Sequence, residues 1–290
     1  MLPAAVHPSL PPAVRLLILG LGWTGQFVAR LAARESLAFA ATTTSGRDGT
    51  LTHPPGLVWF QKFVFDPKST DDAAYAGLPR AEFILITFPI HSAEGIHNLV
   101  QTYERVHDIK SSLILLGSTS AFAPSPQNPL WLDRHSSLVQ PLPDRCLAEN
   151  RLLELGGCVL NLAGLWGGSR DPRNWVSRVA GDKDKLSMKG SLHLIHGTDV
   201  ARAVLAAFQS FTPGERWIVS DTRVYDWWHL ASAWGSAGSS SPRPEARWAL
   251  ELMQQHGVRA LPRNTELLGR ALDSREFWTR FGIEPSVALA

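Results

Sequence analysis

Three glycines near the start of the chain have the spacing of a phosphate-binding turn. Gly20, Gly22 and Gly25 form a Gly-x-Gly-x-x-Gly pattern. In such a turn the first glycine permits a tight bend, the second lets a pyrophosphate approach the backbone, and the third lets the following helix pack closely. N–H groups at the start of that helix, and the positive end of its dipole, then face the phosphates. The spacing predicts a dinucleotide site, and a purely structural turn is the alternative.

The residues around these glycines supply the elements that the pattern requires. Residues 16–19 are an unbroken apolar run, which predicts a parallel strand buried on both faces. Apolar residues recur with helical period after Gly25. Because a strand precedes the glycines and a helix follows them, the context is that of a dinucleotide fold. Trp23 and Thr24 lie between the glycines and are predicted to contact the same cofactor.

The second predicted strand spans residues 37–44, and the residues at its end indicate which dinucleotide is bound. Folds that use NAD place an acidic residue about 20 residues beyond the glycines, where it binds the ribose 2′-hydroxyl. Here no acidic residue follows the strand before Asp48. Thr44, Ser45 and Arg47 instead supply hydroxyls and a guanidinium, which suit a 2′-phosphate. We therefore predict NADP rather than NAD, with a solvated Arg47 as the alternative reading of that residue.

Polar residues follow two further predicted strands, residues 58–65 and 83–88. Asp66 would either cap the next helix or accept a hydrogen bond from an adenine amino group. Thr87 and His91 belong to a loop at the carboxyl edge of the sheet, where open α/β folds bind ligands. Thr87 is a predicted cofactor contact, and His91 is either a general acid or base or a solvated loop residue.

A hydroxyl-rich segment follows the fifth predicted strand, residues 112–116. Ser118 and Thr119 would lie at the carboxyl end of that strand, within reach of a substrate or a nicotinamide. Residues of these types are also common in turns. They are candidates for catalysis.

The succession of strands and helices indicates an α/β protein with a Rossmann-type doubly wound parallel sheet. We expect a flexible leader in residues 1–13, a dinucleotide-binding domain in residues 14–165 and a smaller substrate-binding region in residues 166–290. Residues 192–220 are expected to return to the sheet. Of 11 tryptophans, six lie from residue 217 onward, where they would form an aromatic core or line a substrate pocket.

Composition excludes several classes of partner. The 28 basic and 26 acidic residues leave a net charge of +2, which indicates neither a nucleic-acid-binding face nor a membrane-binding patch. No apolar run is long enough to span a membrane. Neither the two cysteines nor the histidines have metal-binding spacing, so no metal is expected. We expect a cytoplasmic protein that acts on a small molecule, with the oligomeric state open.

Taken together, these segments resemble the extended short-chain dehydrogenase/reductases, the NAD(P)-dependent epimerase/dehydratase-like proteins. The matching segments are the glycine turn, residues 117–122, residues 160–167 and residues 194–201, the last with a His-x-x-Asp pattern. The resemblance covers about residues 14–286. It implies a Rossmann-type sheet, a bound NAD(P) and a substrate-binding region towards the C-terminus.

The chain departs from this family at its catalytic pair. The family uses a tyrosine and a lysine four residues later, but no lysine follows Tyr75, Tyr103 or Tyr225 at that spacing. On the family's pattern the lysine position falls on Arg145 and the tyrosine position on Pro141. Arginine could hold a ribose or a phosphate, but it cannot carry a proton. The remaining candidates for the catalytic role are Ser118, Thr119, Arg145 and His91.

Three functions are compatible with these features. The favoured one is an NADP(H)-dependent oxidoreductase acting on a small molecule. A non-redox isomerase, lyase or cyclase and a non-catalytic NADP-sensing protein are the alternatives. The fold alone does not choose between them.

Overall fold

The computed structural model describes residues 12–45, 57–127, 129–236 and 243–289. Arg47 and nearly all of the expected leader lie outside these ranges. The strands are β1 Val14–Leu19, β2 Phe39–Thr43, β3 Leu57–Lys62, β4 Ala81–Ile86, β5 Ser112–Ser118, β6 Trp131–Leu132, β7 Cys158–Leu162, β8 Gly164–Trp166, β9 Ser191–Leu192, β10 Leu194–His196, β11 Arg216–Val219, β12 Tyr225–Asp226 and β13 Ala271–Leu272.

Helices follow β1, β3 and β4 in the first half of the described chain. The helices are α1 Trp23–Arg34, α2 Asp72–Ala76, α3 Ala93–His107, α4 Asp144–Glu154, α5 Val176–Val179, α6 Lys183–Ser187, α7 Gly197–Gln209, α8 Trp227–Ser236, α9 Pro244–Gln255 and α10 Arg275–Phe281. None of the described helices is both long and apolar enough to cross a membrane.

Seven strands form one parallel sheet in the order β3-β2-β1-β4-β5-β7-β11. The chain begins in the middle of the sheet, adds strands on one side of β1, and then crosses to add the others on the opposite side. Leu17 accordingly pairs with Ala40 of β2 and with Ile84 of β4. The predicted doubly wound Rossmann-type fold is confirmed. The order of strands reverses between β1 and β4, which is where such folds bind ligands.

From Leu16 to Leu19 the central strand is entirely apolar because both faces of the sheet are covered. Leu16, Leu17 and Ile18 are completely buried. Leu17 belongs to a core that also contains Leu99 and Val100 of α3. Burying each such side chain contributes about 1.5–3 kcal/mol, so this core fixes β1 and the turn that follows it.

The chain divides into two compact units. Unit 1 contains the described residues up to Gly117, together with Leu142–Leu160 and Ala201–Arg216. Unit 2 contains Ser118–Pro141, Asn161–Val200 and the described residues from Trp217 onward. Of residues 192–220, β11 adds an edge strand to the large sheet, whereas β10 pairs with β8.

Tryptophans build a separate core in unit 2. Trp227 and Trp228 are buried there, and Trp234 is partly buried against the same cluster. The guanidinium of Arg263 lies 3.9 Å from the ring centroid of Trp228 and forms an ion pair with the buried Asp226. The C-terminal tryptophans therefore serve as a core, and Trp234 also lines a cavity of about 590 Å³ in this unit.

The structure corrects the third predicted strand and one of the two roles considered for Asp66. Strand β3 ends at Lys62 rather than at Phe65, and helix α2 is capped by Asp71. The Asp66 side chain instead accepts a hydrogen bond from Lys68 N at 2.9 Å, within its own turn. The apolar pattern continues past the strand because Phe65 packs on Phe88, at 5.5 Å between ring centroids.

Candidate functional site

The three glycines of the turn have different surroundings. Gly20 has a φ of +97°, and a Cβ at this position would lie 2.5 Å from Thr87 Oγ1. A Cβ at Gly25 would lie 2.3 Å from Gly20 O, so the first turn of α1 packs directly on the glycine turn. A Cβ at Gly22 would meet no atom of the described residues within 4 Å. The first and third glycines are therefore required by the packing, and the second exposes backbone to open space.

Two threonine hydroxyls hold the glycine turn in place. Thr87 Oγ1 donates to Gly20 O at 2.7 Å, and Thr42 Oγ1 accepts from Gly20 N at 3.1 Å. Thr42 is buried and was not among the predicted site residues. The sequence could have indicated Thr42 only through its position near the end of the strand that follows the glycine turn. These contacts give Thr87 and Thr42 a positioning role.

A cleft of about 900 Å³ opens beside the glycine turn, within unit 1. It lies at the carboxyl ends of β1, β2 and β4, the point where the strand order reverses. Of the predicted cofactor contacts, the cleft brings together Gly20, Gly22, Thr44, Ser45 and Thr87. Its size falls within the range of small-molecule and cofactor sites.

The cleft combines an aromatic wall with one unsatisfied hydroxyl group. Phe63, Phe65 and Phe88 line it, which gives an apolar surface suited to a flat ring. Thr43 Oγ1 also belongs to the lining, and it is buried without a hydrogen-bond partner among the described residues. Buried polar atoms of folded proteins are rarely left unpaired, so this hydroxyl is a candidate ligand contact. Thr43 was not among the predicted site residues.

Four other predicted cofactor residues that the structure describes do not line this cleft. Trp23 packs on Phe27, at 4.8 Å between ring centroids, and Thr24 is buried in the first turn of α1. Gly25 contacts the glycine turn, and Asp66 is exposed. A direct contact between these four residues and a cofactor stays a prediction. No cluster of three metal-ligating side chains occurs in the described residues.

Ser118 caps a short 3-10 helix, Thr119–Ala121, at the end of β5. Its hydroxyl oxygen accepts from Ser120 N at 3.3 Å and from the Ser120 hydroxyl at 3.0 Å. The amide of the buried Asn161 donates to Ser118 O at 3.1 Å and fixes the backbone. Because both side-chain contacts are made to the oxygen, the Ser118 hydroxyl hydrogen is available to a ligand.

Arg145 belongs to a buried ion cluster in unit 1. It donates to Leu116 O at 2.9 Å, and its Nε lies 3.5 Å from Glu149 Oε1. Glu149 is completely buried and also binds Arg216 at 2.5 Å. The sequence pattern did not reveal Arg216, which is distant from this helix along the chain. The cluster ties Arg145 to the end of β5, and its contact with a ribose or phosphate stays a prediction. His91 is exposed in the loop after β4.

The three tyrosines all have structural partners. Tyr75 packs on Phe63, and burial raises its pKa to about 12. Tyr103 hydrogen-bonds to the backbone at the start of β4, and burial raises its pKa as well. Tyr225 donates to Asp221 Oδ2 at 2.6 Å, and burial again raises the pKa. A low-pKa phenolate is therefore not prepared at any of the three positions.

The His-x-x-Asp segment anchors the C-terminal residues of unit 2. The completely buried Asp199 accepts from Ser286 N, from the Ser286 hydroxyl at 2.6 Å and from Val287 N at 2.9 Å. His196 Nδ1 accepts from Thr198 N at 3.2 Å, which shapes the start of α7. The motif thus has a structural role in joining distant parts of the unit.

His193 gives the protein a specific acid sensitivity. Burial, and then the charge of Arg270, lower the pKa of His193 to about 4. The unfolded chain therefore binds a proton more readily than the folded chain between about pH 6.5 and 4, and stability falls as the pH falls. We expect this residue to lower the free energy of unfolding by about 3 kcal/mol across that window.

The His193→Gln variant tests this expectation, because its amide oxygen can still accept the Leu272 N–H that the imidazole binds. Urea unfolding at pH 7, 5 and 4 should show a smaller acid loss in the variant than in the wild type. Asp221, whose pKa is raised by burial to about 6, contributes the opposite trend in both proteins, so the difference between them is the readout. Equal acid losses in both would contradict the assignment. The exposed His135→Gln is the control.

Comparison with known proteins shows the fold. No family model matches the chain, and no curated protein matches it either. Solved structures match over almost the whole length. Alfalfa vestitone reductase is 16% identical, with 95% of this chain and 94% of that chain covered and a TM-score of 0.68. The chain has the fold of the extended short-chain dehydrogenase/reductases.

Other structures with this fold carry different cofactors. Yeast methylglyoxal/isovaleraldehyde reductase Gre2, complexed with NADPH, is 16% identical, with 94% of each chain covered and a TM-score of 0.66. UDP-glucose 4-epimerase from Thermus thermophilus, in complex with NAD, is 14% identical, with 95% of each chain covered and a TM-score of 0.62. The fold therefore does not by itself choose between the two dinucleotides.

Proposed function

We propose that this chain is an NADP(H)-dependent oxidoreductase acting on a small molecule. The observation that carries the proposal is the open backbone at Gly22, which faces no side chain and stands beside a cleft of about 900 Å³ at the reversal of strand order. The names of structures with the same fold, which include two reductases, support the redox reading.

Residues of unit 1 would hold the cofactor. Backbone N–H groups at the start of α1 would bind the pyrophosphate, assisted by the helix dipole. The aromatic wall would hold the adenine ring. Thr43, Thr44 and Ser45 would donate hydrogen bonds near the adenosine ribose. A bound NADPH would supply hydride.

The proton would come from a group other than a tyrosine. The Ser118 hydroxyl would donate a hydrogen bond to a substrate carbonyl oxygen, while Asn161 and Ser120 hold it in place. Thr119, His91 or a bound water are the alternative donors. Arg145 would support the end of β5, where these hydroxyls begin.

Arg47→Ala tests the choice of cofactor. Only NADPH carries a 2′-phosphate, so we expect the variant to bind NADPH about tenfold or more weakly and NADH unchanged, as for the loss of a charge-assisted hydrogen bond. Calorimetric titration with each dinucleotide measures this, and the exposed Arg34→Ala is the control. Equal weakening of both, or tighter binding of NADH by the wild type, would overturn the NADP assignment.

Ser118→Ala tests the redox mechanism. Turnover is measured as the oxidation of NADPH in the presence of a panel of aldehydes and ketones. It should fall about a hundredfold while NADPH affinity stays the same, because a group that acts on the transition state changes kcat more than ground-state binding. Ser120→Ala removes the neighbouring hydroxyl alone and should have a smaller effect. A fully active Ser118→Ala would remove this residue from the mechanism.

One observation favours a non-catalytic alternative. The chain lacks the Tyr-x-x-x-Lys pair, and all three tyrosines have structural partners. An NADP-sensing protein would bind NADPH, oxidise it with none of the carbonyl compounds, and bind a partner with an affinity that depends on the cofactor. A non-redox isomerase, lyase or cyclase would instead transform its substrate without net oxidation of NADPH.

A further inference from the structure

Arg270 is a half-buried cation with no carboxylate partner among the described residues. Its guanidinium donates to Thr119 O at 3.1 Å, and this is its one hydrogen-bond acceptor in the described part of the chain. Burial lowers the pKa of Arg270, which shows the cost of desolvating its charge. A cation removed from water is costly unless an anion or several acceptors compensate it.

Other well-buried arginines of this chain have carboxylate partners. Arg216 is paired with Glu149, Arg263 with Asp226, and Arg134 with Glu276. The titratable neighbour of Arg270 is His193, whose low pKa keeps the imidazole neutral at neutral pH. Arg270 therefore differs from the other three in lacking a protein counter-charge.

The segment that Arg270 contacts is rich in hydroxyl groups. Ser118 and Ser120 flank Thr119, and their side-chain oxygens lie 3.0 Å apart. A guanidinium and hydroxyls that can rotate towards an anion are suited to the oxygens of a carboxylate or a phosphate, which accept several hydrogen bonds at once. All of these residues belong to unit 2.

We propose that Arg270 and the hydroxyls of Thr119 and Ser120 bind the carboxylate or phosphate group of an anionic substrate. The inference rests on the proposed function, because it names the substrate class for the reaction in which Ser118 takes part. An anion seated against Arg270 would neutralise its charge and would place the remainder of the substrate beside Ser118.

The test is a titration of the full chain, observed through the Nε–H signals of its arginines by NMR. The probes are malonate for a carboxylate and inorganic phosphate for a phosphate, each compared with sodium chloride at equal ionic strength. The Arg270 signal, identified by its loss in Arg270→Gln, should shift and saturate with one of the two probes. The identity of that probe gives the anion class.

Two variants separate recognition from general charge effects. Arg270→Gln keeps a donor for Thr119 O, so it should fold with nearly unchanged stability but bind the effective probe about tenfold or more weakly. Arg275→Gln, which removes an exposed guanidinium paired with Asp273, should leave probe affinity unchanged. The proposal is wrong if the Arg270 signal moves no more than that of Arg275, or if sodium chloride produces the same shift.

NADPH titration of the same samples distinguishes this proposal from the proposed function. NADPH binding with an Arg270 signal that no probe moves would remove only the anion site. A saturable shift with malonate or phosphate in a protein that binds no NADPH would support the anion site and contradict the oxidoreductase. A shift of the Arg270 signal caused by NADPH alone would assign the residue to the cofactor and overturn its assignment to the substrate.

Discussion

Gly22→Asp is expected to weaken NADPH binding by at least about a hundredfold while the chain still folds. Gly22 has a φ of −75°, and a Cβ there meets no atom within 4 Å, so a side chain is accommodated. The new carboxylate would stand where the pyrophosphate must approach. Repulsion between two unit charges 4 Å apart is about 4 kcal/mol at an effective dielectric constant of 20, which is enough for this loss.

Gly22→Asn is the matched control, because it has nearly the same shape without the charge. Calorimetry should show an intermediate loss for Gly22→Asn, and circular dichroism should show native helix content for both variants. Gly25→Ala should differ from both, since its Cβ would lie 2.3 Å from Gly20 O and must displace the turn. Wild-type affinity in Gly22→Asp would place the dinucleotide elsewhere, and an unfolded variant would contradict the open space at Gly22.

Asp199→Ala is expected to lower the free energy of unfolding by about 3–5 kcal/mol, as for the loss of one partner of a buried charged contact. The carboxylate is completely buried, and its hydrogen-bond donors include Ser286 N, the Ser286 hydroxyl and Val287 N. Without it, these donors are left unpaired or the C-terminal residues detach. Urea unfolding followed by tryptophan fluorescence measures the effect.

Ser286→Ala is the control for this anchor, because it removes the hydroxyl and leaves both backbone donors. It should cost about 1.5–3 kcal/mol, the usual contribution of one hydrogen bond to a charged group. A loss for Asp199→Ala no greater than that for Ser286→Ala would show that the C-terminal residues are held by other contacts. The structural role of the His-x-x-Asp segment would then be small.

The parts of the structure that follow from local pattern were predictable from the sequence. The apolar run of β1, the glycine spacing and the helical period of α1 are all contiguous, so they specify the strand, turn and helix together. The alternation of strands and helices then allows few topologies, since parallel strands require crossover connections. For this reason the doubly wound sheet could be predicted although no family model matches the chain.

Contacts between residues distant in the sequence were not predictable. Thr42 and Gly20 are 22 residues apart, and neither the strand pattern around Thr42 nor the glycine spacing shows that the threonine hydroxyl accepts a hydrogen bond from the glycine N–H. Arg270 and Thr119 are 151 residues apart. At residues 63–65 the apolar pattern was misleading, because phenylalanines that line a cleft resemble a continuing strand.

A crystal of the chain soaked with NADPH tests the central claim most directly. We expect density for one dinucleotide, with its pyrophosphate against the backbone of Gly22 at the start of α1 and its adenine beside Phe63, Phe65 and Phe88. Hydroxyls of Thr43, Thr44 or Ser45 should lie within hydrogen-bond distance of the adenosine ribose. An empty cleft at saturating NADPH, or a dinucleotide bound away from the glycine turn, would contradict the account.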